Sequence, residues 1–142
     1  MAGTQEAGFP ASCRPARPVS ALWIHGTEDS LVPYEGGVLR GIGRTANILS
    51  AEDAVANWAA TNSCSQSPNI DDVPDSVDDG THLVTRTYPN CAANTAVKLY
   101  TVEGGGHTWP GGAQYLPVAV VGKTSGQFDA SGTIWEFFAA HP

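Results

Sequence analysis

The sequence predicts an α/β fold, a mostly parallel sheet with flanking helices, within one domain spanning residues 1–142. Three observations carry that prediction. The run Val19-Ser20-Ala21-Leu22-Trp23-Ile24 is short, apolar on both faces and stopped by His25-Gly26, the pattern of a buried parallel strand. A second apolar run, Val97-Lys98-Leu99-Tyr100-Thr101-Val102, opens onto a glycine-rich stretch around His107. Between and after these runs, apolar residues recur at i, i+3 and i+4, the stripe of a helix lying on a sheet.

Taken in order, residues 1–18 carry Gly3, Gly8, Pro10, Pro15 and Pro18 without periodicity and read as an irregular lead-in. The first strand follows. Its loop, His25 to Tyr34, holds Glu28, Asp29 and Pro33. In open α/β sheets the loops at the C-terminal ends of strands carry the chemistry. Residues 35–48 read as a Gly-containing connection. Ser50 is a plausible N-cap, with Glu52 and Asp53 in the first turn, where acids favour the helix dipole. Val55, Trp58 and Ala59 then give an apolar stripe, so a helix is expected over about 51–61, ending near Asn62. Residues 63–81 are polar, with Asp71, Asp72, Asp75, Asp78 and Asp79. They lack the alternating acids, central Gly and final Glu of a calcium loop and read as a solvated loop. Residues 82–89 alternate as a strand. This strand and the one at 96–102 either pair as a hairpin, or the second joins the main sheet. Residues 113–128 read as irregular despite the apolar Leu116 to Val121. Gly122-Lys123-Thr124 ends like a phosphate-binding loop, but Pro117 stands where its first Gly must be. Asp129 to Ser131 can cap a last helix with Ile134, Phe137 and Phe138 on its buried face. Trp23, Trp58 and Trp135 are assigned to the core. No internal repeat occurs.

Composition narrows the function. With 42% hydrophobic residues the chain can bury a core, and only 15% are charged. The net charge of −7 and seven scattered Lys and Arg argue against nucleic acid or an anionic membrane as partner. No apolar run is long enough to span a bilayer. The N-terminal residues show neither a basic start nor an apolar core, so no signal peptide is read in them. Cys13, Cys64 and Cys91 lack metal-type spacing, and neither a metal nor a cofactor is expected. Cys64 and Cys91 lie at the two ends of a polar segment and can close a disulfide in an oxidising compartment, leaving Cys13 over.

The chemistry centres on Gly104-Gly105-Gly106-His107-Thr108-Trp109-Pro110-Gly111-Gly112. Glycines let a loop pack closely or turn sharply, and an imidazole held there is a candidate general base. Strand, acid loop, helix, strand, His loop, helix is the order of the second half of an α/β-hydrolase, whose triad runs Ser, then Asp or Glu, then His. Asp29 is the favoured partner of His107. Glu28 is adjacent, but neighbouring side chains in such loops point apart. Glu103 ends a strand and need not face the imidazole. The nucleophile is missing: no serine stands in the Gly-x-Ser-x-Gly elbow. Ser125 has Gly126 directly after it, and Ser12, Ser20, Ser30 and Ser131 lack the flanking glycines.

Three motifs, Ile24-His25-Gly26-Thr27-Glu28-Asp29-Ser30-Leu31-Val32-Pro33-Tyr34, Gly104 to Gly111, and Ile134-Trp135-Glu136-Phe137-Phe138, together resemble the polyhydroxybutyrate depolymerase and feruloyl esterase group, the LpqC-like α/β-hydrolases. The resemblance runs from about Cys13 to the C-terminus. It implies a secreted serine esterase acting through an acyl-enzyme on a polyester, a feruloylated polysaccharide or related esters. Asp29 would be the triad acid, His107 the triad base, and Cys64–Cys91 a disulfide. Trp109 and Tyr34 would flank the site and line an acyl or aromatic pocket. The chain looks like the C-terminal portion of such an enzyme, a partial domain without the half that bears the elbow. The alternative is a non-catalytic fragment that binds polymer or carbohydrate. A sheet lacking half its strands would expose an apolar edge and self-associate.

Overall fold

The computed structural model describes residues 5–9, 13, 15–41 and 44–141. In chain order the elements are β1 (Ala21–Gly26), β2 (Gly37–Gly41), β3 (Arg44–Ile48), α1 (Ala51–Thr61), β4 (Asn69–Val73), β5 (His82–Tyr88), a 3₁₀ turn (Ala92–Asn94), β6 (Val97–Glu103), α2 (Val118–Val121) and α3 (Ala130–Ala140). The lead-in expected at 1–18 falls partly on residues 1–4, 10–12 and 14, which lie outside the described residues. Its described part shows a bridge, Glu6 to Ile48, turn residues at Ala7 and Gly8, helical backbone at Phe9, and bends at Ala16 and Arg17.

The central sheet has the order β1-β6-β5-β4. β1 and β6 run parallel, but β6–β5 and β5–β4 are antiparallel. The sheet is therefore mixed, which corrects the mostly parallel sheet expected. Connection length explains the difference. The segments before β5 and before β6 are too short for a crossover, so they return antiparallel. The long connection that carries α1 lets β6 lie parallel to β1. The run at 97–102 thus takes both roles left open by the sequence: it forms a hairpin with β5 and joins β1.

Alternation along the strands sorts the core into two faces. On one, Ala21, Val97 and Leu99 meet Ala51, Val55 and Ala59 of α1, with Trp23 and Trp58 beside them. On the other, Leu22, Ile24, Tyr100 and Val102 meet Ala130 and Ile134 of α3, with Trp109 and Phe128. The sheet is thus covered by a helix on each face. α1 begins as expected: Ser50 Oγ accepts from the Asp53 N–H at 3.0 Å, a cap worth about 1 kcal/mol. Asp129 caps α3 by accepting from the Ser131 and Gly132 N–H groups.

Three further expectations need correction. Within residues 35–48, Gly37–Gly41 and Arg44–Ile48 pair as antiparallel strands rather than forming a plain connection. Val38 is exposed while Ile48 is buried, so the pair shows too little apolar alternation to read from sequence. The polar segment 63–81 contains β4, an edge strand whose Asn69, Ile70, Asp71 and Asp72 are all exposed. Charges suit an edge strand but erase the apolar alternation that marks a strand. Finally, Trp135 is 75% exposed and Phe138 46%. The buried stripe of α3 is Ala130, Ile134 and Phe137, at i, i+4 and i+7; Trp135 and Phe138 stand outside it.

Cys64 and Cys91 form a disulfide that ties the end of α1 to the start of the 3₁₀ turn. Cys13 is free. Among the described residues no helix is long and apolar enough to cross a membrane.

Candidate active site

β1 and β6 end side by side, with His25 opposite Thr101 and Gly26 opposite Val102. The two loops that leave them therefore start as neighbours, and backbone bonds keep them so. The Thr27 N–H donates to the Val102 carbonyl at 3.0 Å and the Glu28 N–H to the Gly105 carbonyl at 2.9 Å. The Gly104 N–H donates to Thr27 Oγ1 at 2.9 Å. Gly26 has no room for a side chain, since a Cβ there would overlap the backbone of Gly105 and Gly106. Gly106 is equally confined, against Val121 and Gly122. Behind the His loop, Gly106 and His107 donate to the carbonyls of Lys123 and Val121. Glycine thus serves here for close approach, which fixes where His107 stands.

The outcome is a meeting of two residues distant in sequence. His107 Nδ1 lies 2.9 Å from Asp29 Oδ2. The Asp29 side chain is almost wholly buried, whereas that of His107 is 29% exposed. The other Asp29 oxygen, Oδ1, accepts from the Leu31 N–H at 2.9 Å and the Val32 N–H at 2.7 Å. A carboxylate held this way only accepts, so Nδ1 of His107 carries the hydrogen. Nε2 is then left with its lone pair. An imidazole oriented by a buried acid, with its second nitrogen free, can take a proton from a substrate or water. Glu28 and Glu103 are both exposed.

The remaining sequence candidates divide. Trp109 lies beside His107: with Thr108 and Tyr115 the two line a recess of about 200 Å³. Its indole N–H donates to Ser131 Oγ at 3.1 Å, and its ring also packs on the second core. Tyr34 lies behind the loop. It is 6% exposed, its hydroxyl sits 2.9 Å from Thr101 Oγ1, and it packs in the first core. Burial pushes its phenol above the ordinary range, with the Thr101 contact opposing, so it stays neutral.

Two residues beside the site escaped sequence reasoning. Tyr115 is 57% exposed and its hydroxyl donates to the His107 carbonyl at 2.8 Å; an aromatic in an otherwise irregular loop was its only signal. His25 lies under Asp29, with its Nε2 3.7 Å from Asp29 Oδ2. Its place at the end of a strand was legible, its contact with the acid was not. Among the described residues no group of acids, histidines and cysteines could hold a metal ion.

Comparison with known proteins agrees with the motifs. The chain is 30% identical over 135 residues to the "Putative esterase NocK" of Nocardia uniformis subsp. tsuyamanensis, covering 90% of this chain and 39% of that protein. It is 31% identical over 96 residues to "Feruloyl esterase B" of Piromyces equi, covering 67% of this chain and 16% of that protein. The resemblance to esterases is thereby shown, and the chain spans well under half the length of these relatives. No family model matches it, and no solved structure matches it significantly.

Proposed function

We propose that this esterase homologue carries the acid and base of a serine-dependent carboxylic ester hydrolase of the polyhydroxybutyrate depolymerase and feruloyl esterase type. The observation that carries the proposal is the 2.9 Å contact between buried Asp29 and partly exposed His107 in the loops that leave adjacent parallel strands. In the full-length enzyme a serine on a Gly-x-Ser-x-Gly elbow would attack the ester carbonyl. His107 Nε2 would accept the serine proton and pass it to the departing alcohol. Asp29 would hold the tautomer and stabilise the imidazolium. Water, activated by the same nitrogen, would then release the acid. Trp109 beside His107 would face the acyl or aryl part of the substrate. The disulfide supports secretion, since such bonds persist in oxidising compartments.

The reading is tested on the 142-residue chain with 4-nitrophenyl acetate. It predicts no turnover that depends on His107, because no serine of these residues occupies an elbow. Turnover abolished by His107→Ala would contradict it. The DNA upstream of the Met1 codon offers a second test, with an in-frame Gly-x-Ser-x-Gly stretch as the expected result.

One observation favours a second reading, a non-catalytic module that binds polymer or carbohydrate. Trp135 and Tyr115 are exposed, and flat aromatic rings suit sugar and polyester surfaces. Retention of the chain on insoluble xylan or polyhydroxybutyrate, lost on Trp135→Ala, would support that reading. Failure to bind either polymer would remove it.

A further inference from the structure

The strand end that precedes Asp29 carries a second imidazole, which the proposed reaction leaves unused. His25 is 2% exposed. Its Nε2 lies 2.9 Å from the Val32 carbonyl and 3.7 Å from Asp29 Oδ2. That is the same oxygen that His107 Nδ1 reaches at 2.9 Å. Its other nitrogen, Nδ1, is buried with no hydrogen-bond partner among the described residues. The Tyr34 ring meets it edge-on, with centroids 5.4 Å apart. Among the described residues, the titratable groups that face His25 are therefore Asp29 and Tyr34 from its own loop and His107 from the neighbouring one.

These contacts define its state. A carbonyl only accepts, so Nε2 carries the hydrogen and donates it to Val32. A second proton, on Nδ1, would place charge in a buried spot with nothing to receive it. Burial accordingly pushes His25 below the ordinary histidine range, against smaller upward pulls from the Val32 carbonyl and Asp29. A proton on His107 would oppose protonation of His25 as well.

The consequence falls on Asp29. Two imidazoles compete for one carboxylate oxygen, and a charged His25 would draw Oδ2 away from His107. A neutral one leaves that oxygen free. By holding the Val32 carbonyl, His25 also fixes the turn whose Leu31 and Val32 N–H groups grip Asp29 Oδ1. We propose that His25 is a positioning residue: as a neutral Nε2–H imidazole it clamps the Asp29 turn and reserves Asp29 Oδ2 for His107. The proposal rests on reading Asp29 and His107 as the functional acid–base pair.

Nitrogen-15 NMR of the histidine rings in the 142-residue chain tests it. His25 should show the neutral Nε2–H pattern and hold it through the pH range in which a free histidine, at about 6.5, takes up charge. In His25→Leu, which has bulk but no donor, water exchange of the His107 Nδ1–H and of the Leu31 and Val32 amides should rise about tenfold. That is the factor expected for losing one ordinary hydrogen bond. His25→Gln, whose side-chain N–H can reach toward Val32, should restore most of the protection. Ordinary titration of His25, an Nδ1–H tautomer, unchanged exchange in His25→Leu, or no difference between Leu and Gln would each overturn the proposal. Should His25→Leu fail to fold, the wild-type tautomer and the Gln variant decide. A wild-type chain lacking a hydrogen-bonded His107 Nδ1–H would instead contradict the acid–base pair itself.

Discussion

Asp29 shows how little of a side chain's role resides in its own chemistry. One oxygen is spent on the Leu31 and Val32 N–H groups, and this leaves the other aimed at His107. His82 makes a different use of carboxylates. Its two ring nitrogens lie 2.7 Å from Asp75 and 2.8 Å from Asp72. The Asp75 bond is the main cause that raises His82 above its ordinary value of 6.5, with Asp72 adding and partial burial opposing. A raised folded value means that this contribution to stability is fully present below 6.5 and is lost as pH climbs through the higher folded value. Thermal unfolding across that interval should therefore show a decline that disappears in His82→Asn. Among single residues, the placement of Asp29 and His107 in loops after strands was legible, because each follows an apolar run. The burial of Tyr34 was not, because sequence does not say which side of a loop faces solvent. The same holds for Trp135, which belongs to an apolar helix yet misses its buried stripe.

The loops around His107 are held as a unit by elements that look featureless in sequence. Asp79 accepts from the Thr81 N–H at 2.8 Å, the Thr81 hydroxyl at 2.6 Å and the Gly126 N–H at 2.6 Å. The Gln127 amide adds donors to the Val77 and Thr81 carbonyls. This web joins the segment before β5 to the segment before α3, and Lys123 in the latter accepts from Gly106. Slight burial of Asp79 works against its charged form, but bonds from Thr81, Gly126 and Gln127 outweigh it and hold the carboxyl below 3.8. A depressed folded value means stability that is present above 3.8 and lost as pH falls through the lower folded value. Asp79→Asn should thus lower the melting temperature at neutral pH, and the gap to the wild type should close in strong acid. An equal gap at all pH values would contradict the assignment. Helices and central strands were readable from apolar periodicity and caps such as Ser50. β2, β3 and β4 were not, because largely exposed strands need little apolar face and are held by ladder bonds that side chains do not encode.

For the molecule as a whole, two features bear on stability and association. The Cys64–Cys91 disulfide closes a separation of 27 residues, and loops of that size are worth about 3–4 kcal/mol. Reduction, or a Cys64→Ser and Cys91→Ser pair, should lower unfolding free energy by about that amount in denaturant titration; a change below about 1 kcal/mol would contradict it. In the described sheet β1 pairs with β6 alone, and Val19, Trp135 and Phe138 nearby are exposed. We propose that this edge self-associates, so light scattering should give a dimer or larger species, and a monodisperse monomer would count against it. The α/β architecture was legible because parallel strands and their covering helices need continuous apolar surface. The mixed pairing was not, because it depends on connection lengths whose end points, β4 above all, were invisible. The central claim is that Asp29 and His107 serve a serine supplied from outside these residues. The most direct measurement is 4-nitrophenyl acetate hydrolysis by the chain, alone and mixed with a separate segment of the esterase group bearing Gly-x-Ser-x-Gly. The account predicts no His107-dependent turnover alone. In the mixture it predicts turnover that falls about 10⁴-fold with Asp29→Asn and at least as far with His107→Ala. Turnover in the mixture that is indifferent to His107→Ala, or no turnover in the mixture at all, would contradict it.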